Sequence, residues 1–187
     1  MDTLWQPEAQ EVVCKAQPTG TSMAKPNIHS SKVMLSIWWD QKGVIHYELL
    51  KSSQIITGQV YRQQLICLKQ ALSEKRLEYA TRHESVIFHH ENSRPHVAVP
   101  VKNYLENKGW EVLPHPLYSS DLAPSDYHLF HSMQNDLSGK RFTSEQEIKN
   151  WLDSFLASKD DAFFWRGIHL LPERWEKVVA SDGQYFD

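Results

Sequence analysis

A chain of 187 residues is long enough for one domain with a core of its own. With 41% hydrophobic and 23% charged residues, and seven each of Trp, Tyr and Phe, it is not a disordered chain. A net charge of −3 counts against strong nucleic-acid affinity over the whole surface, yet leaves room for a local basic face.

The first eight residues, Met1 to Glu8, have neither a basic nor an apolar stretch, so no signal peptide is expected. Residues 1–31 read as an irregular lead-in broken by Pro7, Pro18, Gly20 and Pro26, with at most a remnant of a first strand. Cys14 and Cys67 form no C-x-x-C pair, which argues against a disulfide framework or zinc knuckle and fits a reduced compartment.

Lys32 to Trp39 is rich in β-branched and aromatic residues and reads as a strand. Asp40 to Gly43 is a turn, and Val44 to Leu50 returns as the second arm of a hairpin. From Gly58 to about Arg76, Tyr61, Leu65, Leu68 and Leu72 share one helical face. Ser85 to Glu91 reads as a short apolar strand. Pro95 reads as the first residue of a helix that runs to about Asn107 and stops at Gly109. Trp110 to Leu113 is the next strand. Asp126 to Leu137 reads as a helix, and Ser144 with Glu147 as a capping box for another. Helices around Ala162–Ile168 and Pro172–Ala180 complete the chain, with Trp165 and Trp175 as packing residues. A mixed sheet with helices packed on it fits this order. No apolar run is long enough to span a bilayer, so no membrane partner is expected.

Two acids stand out. Glu91 ends an apolar strand, where ligands gather in open α/β sheets, and Asp126 opens a helix. Carboxylates held together repel one another, and divalent cations relieve the repulsion. Oxygen ligands suit Mg²⁺ or Mn²⁺. On spacing alone, capping or solvated roles are the commoner explanation for such acids.

The segments around them are more specific. His90-Glu91-Asn92-Ser93-Arg94-Pro95-His96 resembles the H-D-N-A-R-P-H of mariner-type (Tc1/mariner) transposases. The run from Tyr118 to Phe130 resembles their Y-S-P-D-L-A-P-S-D-Y-H-L-F, and Ile37 to Asp40 and Pro172 to Phe186 also match. Thirty-four residues lie between Glu91 and Asp126, as between the family's second and third catalytic aspartates. The family also occurs fused to a SET histone-methyltransferase domain, and nothing here resembles SET.

The resemblance implies an RNase H-like α/β fold over residues 32–187. It implies metal-dependent DNA cleavage and strand transfer, with two Mg²⁺ or Mn²⁺ ions held by Glu91 and Asp126. DNA, at transposon ends or non-specifically, is the implied partner. A homodimer or a pairing with a full-length transposase is implied too, as is nuclear localisation. Arg94, Lys102, Lys140 and Arg141 are candidate phosphate contacts. The histidines near the acids, His89, His90, His96 and His128, are expected in structural or phosphate-contact roles.

The chain departs from the family at four points. Position 91 is Glu where the family has Asp. The family's first catalytic Asp is expected to fall before Met1, which leaves Asp2, in Asp2-Thr3-Leu4-Trp5, as its candidate substitute and a third metal ligand. The helix-turn-helix region that reads transposon ends is not matched. Ser120 replaces a proline. These departures lead to the expectation of impaired catalysis. The alternatives are a domesticated DNA- or protein-binding module without catalysis, or a decayed transposon relic.

Overall fold

The computed structural model describes residues 4–13, 32–51, 53–77, 86–117 and 119–181. Among them, five strands form one sheet: β1 (Leu4–Val13), β2 (Lys32–Asp40), β3 (Gly43–Lys51), β4 (Ile87–Phe88) and β5 (Glu111–Val112). Their order across the sheet is β3-β2-β1-β4-β5. β2 is antiparallel to both β1 and β3, while β4 runs parallel to β1 and β5 parallel to β4. The β2–β3 hairpin closes with Gly43 opposite Asp40, at a φ of 120° that favours glycine.

The irregular reading of residues 1–31 is corrected at β1. Leu4–Val13 is a strand at the centre of the sheet, paired with β2 on one side and with β4 on the other. Pro7 argued against a strand because proline brings no N–H to a ladder. It nonetheless lies within β1, opposite Trp38, where pairing along the rest of the strand outweighs one missing donor. Asp2, Cys14 and the other residues of that segment lie outside the described residues.

Successive strand residues face opposite sides, so β2 feeds two cores. Val33, Leu35, Ile37 and Trp39 pack on one face with Leu129, Phe130, Ile148, Leu152 and Phe164. Trp38 turns to the other, with Ile45, Tyr61, Leu65, Leu68 and Phe88. Both tryptophans are wholly buried.

On the Trp38 side lie α1 (Gly58–Lys75) and α2 (Val99–Lys108). The Thr57 hydroxyl caps α1 by accepting from the Val60 N–H at 3.3 Å, and the apolar face read from the sequence is the buried one. Beyond the helix, Arg76 donates twice to the buried Asp40 carboxylate, each bond 2.9 Å, tying the end of α1 to the hairpin. α2 begins later than Pro95. Residues 94–97 form a turn, and Pro100 is the proline in the first helical turn, where a missing N–H costs nothing. Gly109 caps α2 in the left-handed conformation, φ 65°.

The strand readings at Ser85–Glu91 and Trp110–Leu113 contract to the two-residue β4 and β5. Their ladder is extended by bonds from the Glu111 N–H to the Val86 carbonyl (2.9 Å) and from the Leu113 N–H to the Phe88 carbonyl (2.8 Å).

On the Trp39 side, the helix read from Asp126 is not α-helical at its start. Ser125–Phe130 is a π-helical segment, in which the His131 N–H reaches the Asp126 carbonyl five residues back, and only then does α3 (His131–Leu137) follow. α4 (Glu145–Ala157), α5 (Asp161–His169) and α6 (Leu171–Ala180) complete this layer. Ser144 caps α4 as expected, accepting from the Glu147 N–H at 3.2 Å. The Glu147 carboxylate reaches back one residue further than a capping box requires, accepting from the N–H and hydroxyl of Thr143 at 2.6 and 2.8 Å. Trp165 is not a core residue: half of it is exposed, and it stacks on His169 with ring centroids 3.9 Å apart.

Candidate functional site

Glu91 stands three residues beyond Phe88, at the carboxyl end of β4, and is half-buried. His89 and His90, just before it, are buried. The loop then turns back on itself, with the His96 N–H bonded to the Ser93 carbonyl at 2.9 Å and the Val97 N–H to the same oxygen at 3.2 Å. His96 Nδ1 lies 3.2 Å from the Glu91 carbonyl oxygen. Behind the loop, Tyr61 of α1 stacks on His96 with ring centroids 4.0 Å apart, and its hydroxyl lies 3.1 Å from His90 Nδ1. His89 Nε2 meets His115 Nδ1 at 2.9 Å, joining the end of β4 to the segment after β5.

Asp126 is held from the other face. Ser125, wholly buried, accepts from the Trp39 indole N–H at 2.9 Å, which fixes the start of the π-helical segment against β2. Tyr127 donates to the Gly167 carbonyl at 2.7 Å, and His128 Nε2 donates to the Phe163 carbonyl at 2.9 Å, so α5 clamps the segment. Arg174 of α6 lies 4.1 Å above the Tyr127 ring and donates to the Asp121 carbonyl at 3.1 Å.

Gly167 makes that clamp possible. A Cβ there would lie 2.5 Å from His128 Cδ2 and 2.7 Å from the Trp39 ring. Gly167→Ala should therefore cost about 1–3 kcal/mol, the usual penalty of overpacking. Urea unfolding of the variant checks this, and an unchanged midpoint would mean that α5 can retreat without loss.

Electrostatics tie the two acids together. Burial raises the Glu91 pKa above the ordinary carboxylate value, and the charge of Asp126 raises it further. The two carboxylates, far apart in sequence, thus share one field. An all-oxygen pair destabilised by mutual repulsion is a donor set suited to a hard divalent cation. Among the described residues, no group of three His, Cys, Asp or Glu side chains is arranged to hold a metal ion. Any third ligand must therefore be sought elsewhere. Asp2 lies outside the described residues. β1 pairs in parallel with β4 at Leu4–Ile87 and Trp5–Phe88.

A groove of about 490 Å³ opens beside Glu91, with Asn92, His96, Lys102, Trp110 and His115 among its walls. Lys102, exposed on α2, is the phosphate-contact candidate that the structure brings to this groove. Arg94 is exposed on the turn after Glu91. Lys140 and Arg141 do not line the groove; Lys140 pairs with Asp136 and lies 5.7 Å from the Trp151 ring centre. Sequence reading missed the supports: Tyr61 registered only as a helix-face residue, and the Trp39–Ser125 bond spans 86 positions, beyond any local pattern.

The family model described as transposase (partial DDE domain) matches residues 6–82. Mariner Mos1 transposase of Drosophila mauritiana is 56% identical over 167 residues, covering 89% of this chain and 48% of that protein. The histone-lysine N-methyltransferase SETMAR of Homo sapiens is 42% identical over 163 residues, covering 87% of this chain and 24% of that protein. The chain thus spans about half the length of the first relative and a quarter of the second. The Mos1 catalytic domain, solved with raltegravir and Mn, superposes with a TM-score of 0.88 at 49% identity, over 98% of this chain and 84% of that one. A pre-cleavage Mos1 transpososome gives a TM-score of 0.91 at 49% identity, over 98% of this chain and 57% of that one. The sheet order and flanking helices are those of this RNase H-like fold, as the sequence motifs led one to expect.

Proposed function

Because this chain belongs to the mariner-type transposases, through their catalytic domain, we propose that it performs metal-dependent DNA cleavage and strand transfer at Glu91 and Asp126. The observation that supports this reading is the charge of Asp126, which raises the Glu91 pKa although the two acids lie far apart in sequence. The Mos1 catalytic domain has been solved with both Mn and Mg, and Mos1 transposase in a paired-end complex with the left transposon end. Those findings support Mg²⁺ or Mn²⁺ as the cofactor here and DNA as the partner. A nuclear location follows from that partner, and pairing with a second transposase copy belongs to the same reading.

Bound divalent cations supply Lewis-acid activation of the attacking oxygen and neutralise charge developing at phosphorus. The protein contributes the rest. The Glu91 carbonyl accepts from the buried His96 ring, and Ser125, beside Asp126, accepts from the buried Trp39 indole, so the main chain at both acids is held. Lys102 and Arg94 offer charge to the phosphates of a strand lying along the groove. Glu91 carries one methylene more than the family's Asp, so the proposed activity is reduced. Lys140 and Arg141 are proposed as contacts to more distant phosphates.

Nicking of supercoiled plasmid in Mn²⁺ tests the proposal, with Asp126→Ala as the comparison. The parent should nick and the variant should not. Equal nicking by both would place the activity elsewhere and leave the chain as a DNA- or protein-binding module. Asp2→Asn, run beside it, tests whether Asp2 completes the ligand set: unchanged nicking would exclude it.

A further inference from the structure

A ligand on a loop is only as well placed as its backbone, and Glu91 lies three residues past the last ladder residue of β4. The sheet does not hold it there. The His96 ring does: its Nδ1 is 3.2 Å from the Glu91 carbonyl oxygen. A carbonyl can only accept, so Nδ1 carries the proton and donates it. The ring is itself immobilised. It is 4% exposed, stacked on Tyr61 at 4.0 Å, and nearly parallel to His90, with an interplanar angle of 11° and centroids 5.5 Å apart. The Tyr61 hydroxyl, 3.1 Å from His90 Nδ1, closes the stack. The His96 backbone N–H meanwhile bonds the Ser93 carbonyl at 2.9 Å. Side chain and main chain of one residue therefore both clasp the turn that follows Glu91.

We infer that His96 is the positioning residue for Glu91: its Nδ1–H fixes the backbone from which the carboxylate projects, and the stack with Tyr61 and His90 fixes His96. The inference rests on Glu91 being a metal ligand, as proposed above. Hydrogen-bond partners outside the coordination sphere orient metal ligands, and here the donor acts on the ligand's own main chain.

Two substitutions separate the donor from the ring. His96→Asn keeps an N–H close to the Nδ1 position and gives up the stack. His96→Phe keeps the ring and gives up the donor. The full chain is read in two ways: Mn²⁺ alone, titrated by loss of the free-ion EPR signal, and hydrogen exchange at the Val97 amide in metal-free buffer. In His96→Phe, exchange should quicken by about fivefold or more, the factor that one lost hydrogen bond represents. Mn²⁺ binding in the same variant should weaken about tenfold or more, while His96→Asn, which keeps the donor but loses the stack that fixes it, should fall between the parent and the Phe variant in both readings. A Phe variant that matches the parent, or an Asn variant that loses as much as the Phe variant, overturns the positioning role. A parent that takes up no Mn²⁺ overturns the metal reading of Glu91 instead, and the exchange comparison still decides whether His96 holds the loop.

Discussion

Urea unfolding at a series of pH values should show stability falling steeply below about pH 6.5, because three histidines are buried neutral beside the site. His89, His90 and His96 are 0%, 7% and 4% exposed. Burial pushes His89 and His90 from 6.5 down to about 3, and His96 to about 4. Neighbouring imidazoles add to the shift at His89 and His90, while the bond to Glu91 opposes it at His96. Between these values and 6.5 the unfolded chain is protonated at all three and the folded protein at none. The unfolded state then binds more protons, so the stability that is full above pH 6.5 drains away as pH falls toward 4. Each histidine contributes a slope of about 1.4 kcal/mol per pH unit, about 4 together. By about pH 5 some 6 kcal/mol is gone, comparable with the whole stability of an ordinary domain. His115, lowered by burial, acts in the same direction. Glu91 acts in the other, since its raised pKa favours the folded state as it protonates, but it is one group against four. The slope of unfolding free energy on pH near 5.5 should correspond to two or three protons taken up on unfolding. A slope of less than one proton would show that the imidazoles are already charged in the fold.

The cluster behind that prediction was only partly legible in the sequence. His89, His90 and His96 flank Glu91 in one motif, but nothing local says that α1 delivers Tyr61 between them or that His115 arrives from beyond β5. Periodicity served where one face of an element meets one core. The α1 face of Tyr61, Leu65, Leu68 and Leu72 is buried as read, and β2 alternates as its pattern demands. It failed where pairing rather than pattern decides. β1 carries Pro7, which reads as punctuation, yet lies at the centre of the sheet because β2 and β4 flank it. The π-helical segment at Asp126 leaves no trace in the pattern, since one wider turn barely shifts the apolar positions of Leu129, Phe130 and Met133. Pro95 and Pro100 compete for the start of α2, and the bonds from His96 and Val97 to the Ser93 carbonyl settle it for Pro100. The two proposed site acids stand out in the sequence because their motifs are long. Their supports do not, because Trp39 and Ser125 lie 86 positions apart and meet only in the fold.

Glu91→Asp should raise Mn²⁺-dependent nicking by roughly 10- to 100-fold, the reverse of the usual effect of substituting a catalytic carboxylate. The backbone at position 91 is held by the His96 Nδ1–H, and Ser125 beside Asp126 is held by the Trp39 indole. With both backbones fixed, the extra methylene of Glu91 cannot be absorbed by a shift of the chain. It displaces the carboxylate by roughly 1 Å, a misplacement worth about 100-fold in rate. Aspartate also has one rotatable bond fewer to order when it engages a cation. The cost should fall on stability rather than chemistry: the shorter side chain fills less of the wall beside Asn92 and Lys102, so the melting temperature of the metal-free protein should stay level or fall slightly. Glu91→Gln, of nearly the same size but uncharged, should nick no faster than background. Together the two variants distinguish carboxylate position from carboxylate charge. If Glu91→Asp is no faster than the parent while Glu91→Gln is inactive, the reach of this side chain is not what limits the reaction.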